Sequence, residues 1–164
     1  MKRKWIPFMS ILIICSTILV AVIWNDRTNL LSYKIIQTID KKCGPNNTCT
    51  FSLKEITDFS WDRMVYYDAG SANEITRALR IEYPEVDDLS TGLIFVYHKK
   101  IVYREELPHD FENQSKLSFI LGKRDRSPEC FAYTPNDAIF KGVKERIDGE
   151  MYYSIDLLNT AKAN

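Results

Sequence analysis

From Ile6 to Trp24 the chain reads IPFMSILIICSTILVAVIW, 19 residues without a charge, and nothing like it recurs downstream. At about 1.5 Å of rise per residue, a helix of that length nearly spans a hydrocarbon core of roughly 30 Å. Trp5 and Trp24 bracket the run, where amphipathic rings favour the headgroup zone. A cleaved export signal shares the basic start and apolar run but wants small residues before the cut. Ala21 has Leu19 two places before it, and no A-x-A pattern follows Trp24. A lipoprotein signal would end at Cys15, where Ile14 occupies the place of a small residue. The run is therefore expected to be an uncleaved anchor. Lys2, Arg3 and Lys4 precede it, whereas Asp26 and Arg27 cancel just after it. The positive-inside rule then leaves the N-terminus in the cytoplasm and residues 25–164 outside.

Beyond the anchor the periodicity changes. Leu30, Leu31, Ile35, Ile36 and Ile39 recur near helical spacing and predict a helix stopping at Cys43-Gly44. The pattern leaves open whether it continues the membrane helix or packs on the domain. Ser52 and Glu55 have capping-box spacing, while Phe51, Leu53, Ile56 and Phe59 suit a strand or a single helical turn equally. WDRMVYY (61–67) reads as a buried strand, and Ser71 with Glu74 opens a short helix to about Arg80. Residues 83–92 read as loop. LIFVYHKKIVYREEL (93–107) is the strongest strand signal, two apolar runs about a reversal at His98, Lys99 and Lys100. Lys-Lys is a poor type I′ pair, which predicts a four-residue loop there. KLSFILG (116–122) and ECFAYT (129–134) predict strands on either side of a turn, KRDRSP. Thr134-Pro135 with Asp137 looks like a helix start, and Asp148-Gly149 is a two-residue hairpin signal. The expected fold class is α+β: an N-terminal transmembrane helix, then one small domain, a mainly antiparallel sheet with one or two short helices. The expected division is an anchor at 1–25, a helical stalk and Cys-stapled loop at 26–49, and an exported domain at 50–164.

An outward orientation decides how KKCGPNNTC is read. In an oxidising compartment, Cys43 and Cys49 are most simply a disulfide, since Gly44-Pro45 and Asn46-Asn47 let the chain double back. Zinc would need two more ligands, and none has the spacing. Cys130 falls outside the bridge and is expected to be buried; Cys15 falls within the apolar run.

The chain has 22 basic and 22 acidic residues; without Lys2, Arg3 and Lys4 the exported part has 19 basic against 22 acidic. That balance argues against nucleic-acid binding, which wants a basic face. No G-x-S-x-G elbow, H-E-x-x-H, P-loop or dinucleotide-binding glycine pattern occurs. A histidine-dependent nucleophile would have to pair His98 or His109 with Cys130 or Ser71. Asp62 and Asp68 could serve acid–base chemistry, but six residues apart on one strand they are too distant to cooperate, and solvated or turn-capping roles fit better. Glu82, Glu85, Asp87 and Asp88 lack EF-hand spacing and its glycine. No cofactor and no metal are expected. Lys123, Arg124 and Arg126 form a short basic run opposite in sign to Glu85, Asp87 and Asp88; these six are the candidate partner-binding residues. Phe59, Trp61, Tyr66 and Tyr67 read as core before they read as a binding surface.

Phe59-Ser60-Trp61-Asp62, then a strand and a capped helix, then Tyr133-Thr134-Pro135 with Asp137 and Phe140, resemble a loosely defined group of small exported or membrane-anchored bacterial proteins with an F-x-W-D motif, mostly uncharacterised. The resemblance covers roughly residues 50–145. It implies a bacterial envelope setting and no established activity, and no catalytic residues carry over from it. The expected protein is thus single-pass in the bacterial inner membrane through residues 6–24, with a periplasmic or extracellular domain. That domain is expected to bind a protein partner, in one form as an immunity-type inhibitor. The alternatives are an envelope hydrolase using carboxylates or His109, and a structural subunit of a membrane complex.

Overall fold

Large apolar side chains at successive positions of the strands decide which faces meet. The computed structural model describes residues 30–44, 47–68, 72–83, 91–107, 116–120 and 130–157; the apolar run at 6–24 lies outside them. They form helices α1 (Leu31–Lys42), α2 (Leu53–Ile56) and α3 (Ala72–Leu79). The strands are β1 (Thr48–Ser52), β2 (Arg63–Asp68), β3 (Thr91–Tyr97), β4 (Lys100–Leu107), β5 (Leu117–Ile120), β6 (Cys130–Tyr133), β7 (Ile139–Ile147) and β8 (Glu150–Leu157). The α+β class and mostly antiparallel pairing are as expected. The strands, however, form two four-stranded sheets rather than one, in the orders β4-β3-β2-β6 and β1-β7-β8-β5; α1 falls where the stalk helix was expected, and α2 and α3 are the one or two short helices expected of the domain. Among the described strands, only β5 and β8 pair in parallel.

β2 sends Met64 and Tyr66 to one face and Val65 and Tyr67 to the other, and all four are buried. β3 does the same with Leu93 and Phe95 against Ile94 and Val96. Burial on both faces explains why these strands read as continuous apolar runs instead of alternating. The first face meets the other sheet: Tyr66 stacks on Phe119 of β5 at 4.7 Å, and Tyr133 of β6 meets Phe140 of β7 edge-on at 5.9 Å. The second face is covered by α3, which buries Ile75 and Leu79.

α1 packs into the core between the sheets, which answers the question its periodicity left open. Leu31, Ile35 and Ile39, each one turn beyond the last, are fully buried among residues of both sheets. Side chains of this size contribute about 1.5–3 kcal/mol each when fully buried. Ile39 lies over Gly142 of β7, where a Cβ would sit 2.8 Å from Ile39 Cγ1 and 3.1 Å from the Phe51 ring; a bare backbone is what lets the helix come this close. The exposed pairs Lys34–Asp58 (3.0 Å), Lys42–Glu55 (3.2 Å) and Lys144–Asp40 (3.1 Å) fix its rotation, each worth at most about 1 kcal/mol.

At the C-terminal end of α1, Cys43 is bonded to Cys49 of β1, with Cα atoms 5.0 Å apart, and Cys130 is buried in β6. The ambiguous stretch after it is both things at once, a strand and then one helical turn, with Ser52 Oγ accepting the Lys54 N–H at 3.3 Å.

Two turns differ from expectation. The β3–β4 connection is a two-residue turn, with His98 (φ 48°) and Lys99 (φ 61°) both left-handed. The Asp62 carboxylate holds it by accepting the His98 N–H at 2.8 Å, while the Asp62 N–H donates to Val96 O at 2.9 Å. This tertiary clamp offsets a local cost of about 1 kcal/mol per left-handed residue. Thr134 to Asp137 form a single turn, with Asp137 bonded to the Thr134 hydroxyl, and the chain then enters β7 at Ile139 instead of a helix. Asp148-Gly149 makes the expected two-residue hairpin (φ 51° and 89°).

Unfolded in denaturant without reductant, the full-length protein should show two reactive thiols, Cys15 and Cys130, rising to four on reduction. Four from the outset would remove the bridge from the fold. Reduction should lower stability by about 2 kcal/mol, the loop-entropy value for so short a ring.

Candidate functional site

Among the described residues, a buried carboxylate network lies at the start of α1. A helix leaves its first N–H groups without internal acceptors, and residues with a short side-chain oxygen before the first turn usually satisfy them. α1 has Leu30 there, which cannot. β4 supplies the acceptor instead. Its inward-facing positions are Tyr103, Glu105 and Leu107, and Glu105, 5% exposed, lies under the start of the helix. The Leu31 N–H donates to Glu105 Oε2 at 2.7 Å and to Tyr103 Oη at 2.8 Å. The Ser32 N–H approaches both carboxylate oxygens at 3.3 Å, and the Tyr103 hydroxyl donates to Oε2 at 2.5 Å. Charge-assisted bonds of this kind are worth about 1.5–3 kcal/mol, and the positive end of the helix dipole adds to them. Burial first, and then the hydrogen bond to Glu105, push the Tyr103 phenol above its ordinary range. With its oxygens engaged and its side chain covered, Glu105 serves as an anchor for α1 and not as a base open to substrate.

The Phe59-x-Trp61-Asp62 stretch positions this site from behind. Phe59 stacks on Tyr103 (5.1 Å, 14°) and meets Phe95 edge-on at 5.3 Å. Trp61 meets the same Phe95 edge-on at 5.1 Å, and its Nε1–H donates to Thr57 Oγ1 at 3.0 Å. Asp62 holds the β3–β4 turn. The motif therefore fixes the hairpin that carries Tyr103 and Glu105. The aromatic side chains do belong to the core: Trp61, Tyr66 and Tyr67 are buried, and Phe59 packs against the cluster that holds Trp61 and Tyr66.

The other candidates are scattered. Asp62 and Asp68 sit at opposite ends of β2, and Asp68 accepts the Thr91 hydroxyl at 2.7 Å. His98 is exposed at the hairpin turn, edge-on to Tyr97 at 4.1 Å. His109, Ser71, Lys123, Arg124, Arg126, Glu85, Asp87 and Asp88 lie outside the described residues. Glu82 lines an open cleft of about 680 Å³ at the end of α3, with Asn73, Thr76, Arg80 and Tyr83. There the Arg63 guanidinium donates to Ala78 O at 3.2 Å, satisfying a carbonyl at the helix terminus. Sequence reasoning passed over Glu105. The available signal was a charged residue in phase with Tyr103 and Leu107 on a strand whose neighbours are apolar.

Compared with protein-family models, curated proteins and solved structures, the chain matches none.

Glu105→Ala should lower stability by about 3 kcal/mol, because it leaves the Leu31 and Ser32 N–H groups and the Tyr103 hydroxyl without their shared acceptor. Glu105→Gln, which keeps an acceptor oxygen, should lose about half as much. Urea midpoints in detergent measure both, and amide exchange at Leu31 and Ser32 should quicken with them; unchanged exchange would show that the cap is dispensable.

Tyr103 and Tyr66 both hold their protons more tightly when folded, Tyr66 chiefly through burial. The unfolded chain releases those protons near the ordinary tyrosine pKa of about 10. Stability should thus be complete below that value and fall as pH rises through it. Tyr103→Phe should make the fall shallower, and an unchanged slope in pH-dependent urea titrations would rule out its contribution.

Proposed function

We propose that this chain is a single-pass envelope protein, tethered through residues 6–24, whose folded domain binds a protein partner, in its specific form an immunity-type inhibitor that neutralises an incoming toxin. The observation that carries the reading is the seating of α1: the helix leading from the apolar run is built into the core through Leu31, Ile35 and Ile39 and capped by Glu105. A helix seated in the core gives the tether a firm point of attachment on the domain, which suits presentation of a surface. Asp62, Asp68 and Glu105 each accept a structural hydrogen bond, which supports binding over hydrolysis by these three carboxylates. The basic run Lys123, Arg124 and Arg126 and the acidic run Glu85, Asp87 and Asp88 are the proposed partner contacts, opposite charges able to steer a docking protein. The F-x-W-D resemblance supports the bacterial envelope setting.

The test is a crosslinked pull-down from native membranes with the full-length protein tagged at Asn164. It should retain one stoichiometric envelope or secreted protein, and combined Lys123→Glu, Arg124→Glu and Arg126→Glu should cut recovery about tenfold, the equivalent of 1.4 kcal/mol. Loss of no protein on charge reversal, or none retained by the native chain, would refute the proposed contacts or the binding role respectively.

A further inference from the structure

The β3–β4 hairpin ends in a group of side chains that the fold does not use. Tyr97, Ile101 and Val102 are 39%, 42% and 41% exposed, on either side of the turn at His98 and Lys99. They point in different directions. Alternation puts Tyr97 on the face of Phe95, and Ile101, paired with Val96, on the opposite face; Val102 occupies the irregularity in register beside them. The tip is therefore apolar on both faces of the ribbon and basic at its end, where Lys99 and Lys100 are exposed. Asp62, the acid that holds the turn, accepts the His98 N–H. A partner protein would cover one face of such a ribbon. A soft layer with an anionic surface and an apolar interior accommodates both faces and the lysines together.

The position of the tip points the same way. Leu30, the first described residue, is 42% exposed and immediately precedes the Leu31 N–H bonded to Tyr103 of this hairpin. Five residues lie between Trp24 and Leu30, so the end of the apolar run lies within about 20 Å of Leu30. The turn is about 13–17 Å along β4 from Tyr103, a comparable reach. We propose that the β3–β4 tip is a second membrane contact. It seats in the headgroup layer of the bilayer that holds residues 6–24, with Tyr97, Ile101 and Val102 entering the interface and Lys99 and Lys100 meeting anionic lipid phosphates. The proposal rests on the anchored reading of residues 6–24.

The two are separated by placing a photocrosslinking amino acid at one position at a time in the full-length protein. The protein is reconstituted in vesicles of zwitterionic and anionic phospholipid carrying a radiolabel. Replacement of Ile101 or Val102 should yield labelled lipid adduct about tenfold above replacement of Ile147, which is the more exposed at 50% and lies on the β7–β8 hairpin. Replacement of Val20 reports the anchor. Lys99→Glu with Lys100→Glu should lower the Ile101 adduct several-fold in anionic vesicles. Adduct from Val20, but none above the Ile147 level from Ile101 and Val102, would overturn the tip contact and leave the anchor standing. No adduct from Val20 would overturn both. A protein adduct from Ile101 in native membranes, in place of lipid, would make the tip a partner surface and overturn the proposal.

Discussion

A carboxylate taken out of water has to be met by donors, and in this domain Glu105 is met by the start of a helix. The two halves of the arrangement need each other. Without the helix, Glu105 would keep only the Tyr103 hydroxyl as a donor to a buried charge; without Glu105, a helix preceded by leucine would keep only the Tyr103 oxygen as an acceptor for the N–H groups of its first turn. The contact spans 74 residues of sequence and joins the first described helix to an edge strand. The burial of Leu31 and Ile35, and with it the closure of the core that both sheets share, depends on the helix beginning where it does.

Around that contact the chain is organised in shells. Tyr103 shares the carboxylate, Phe59 stacks on Tyr103, Phe95 lies edge-on to both, and Trp61 closes against Phe95. Such aromatic pairs add about 0.5–1.5 kcal/mol each beyond the area they bury. The same stretch that provides Phe59 and Trp61 provides Asp62, which clamps the hairpin at its far end. A short motif that looks functional when read in one dimension is here the support of a strand.

What was legible in the sequence followed from local physics. The strand β2, the β3–β4 pair, the Asp148-Gly149 turn and the Cys43–Cys49 bridge all announce themselves within a few residues. What was not legible depended on distant partners. The tight turn at His98-Lys99 contradicts its own residue preferences because Asp62, 36 positions earlier, holds it. Thr134-Pro135 has the chemistry of a helix start, but Asp137 folds back on Thr134 and the pull of β7 pairing begins at Ile139. The division into two sheets could not be read either, since a strand buried on both faces looks the same whether helix or sheet covers it. Glu105 was hidden for a related reason. Its meaning lies in an orphaned helix terminus, which carries no mark in the sequence beyond the absence of a capping residue at Leu30.

The disulfide and the carboxylate secure α1 at opposite ends, and by different means. Tension applied to the chain ahead of Leu30 would load the Glu105 end first, through bonds that can open and re-form, and would reach the covalent end only after the helix had peeled from the sheets. At Cys43 the load would pass directly to Cys49 in β1 and bypass the residues between them. A chain built this way yields one helix reversibly under a pull before the sulfur bridge hands the load to the edge strand β1, so that the hydrogen-bonded end behaves as a fuse.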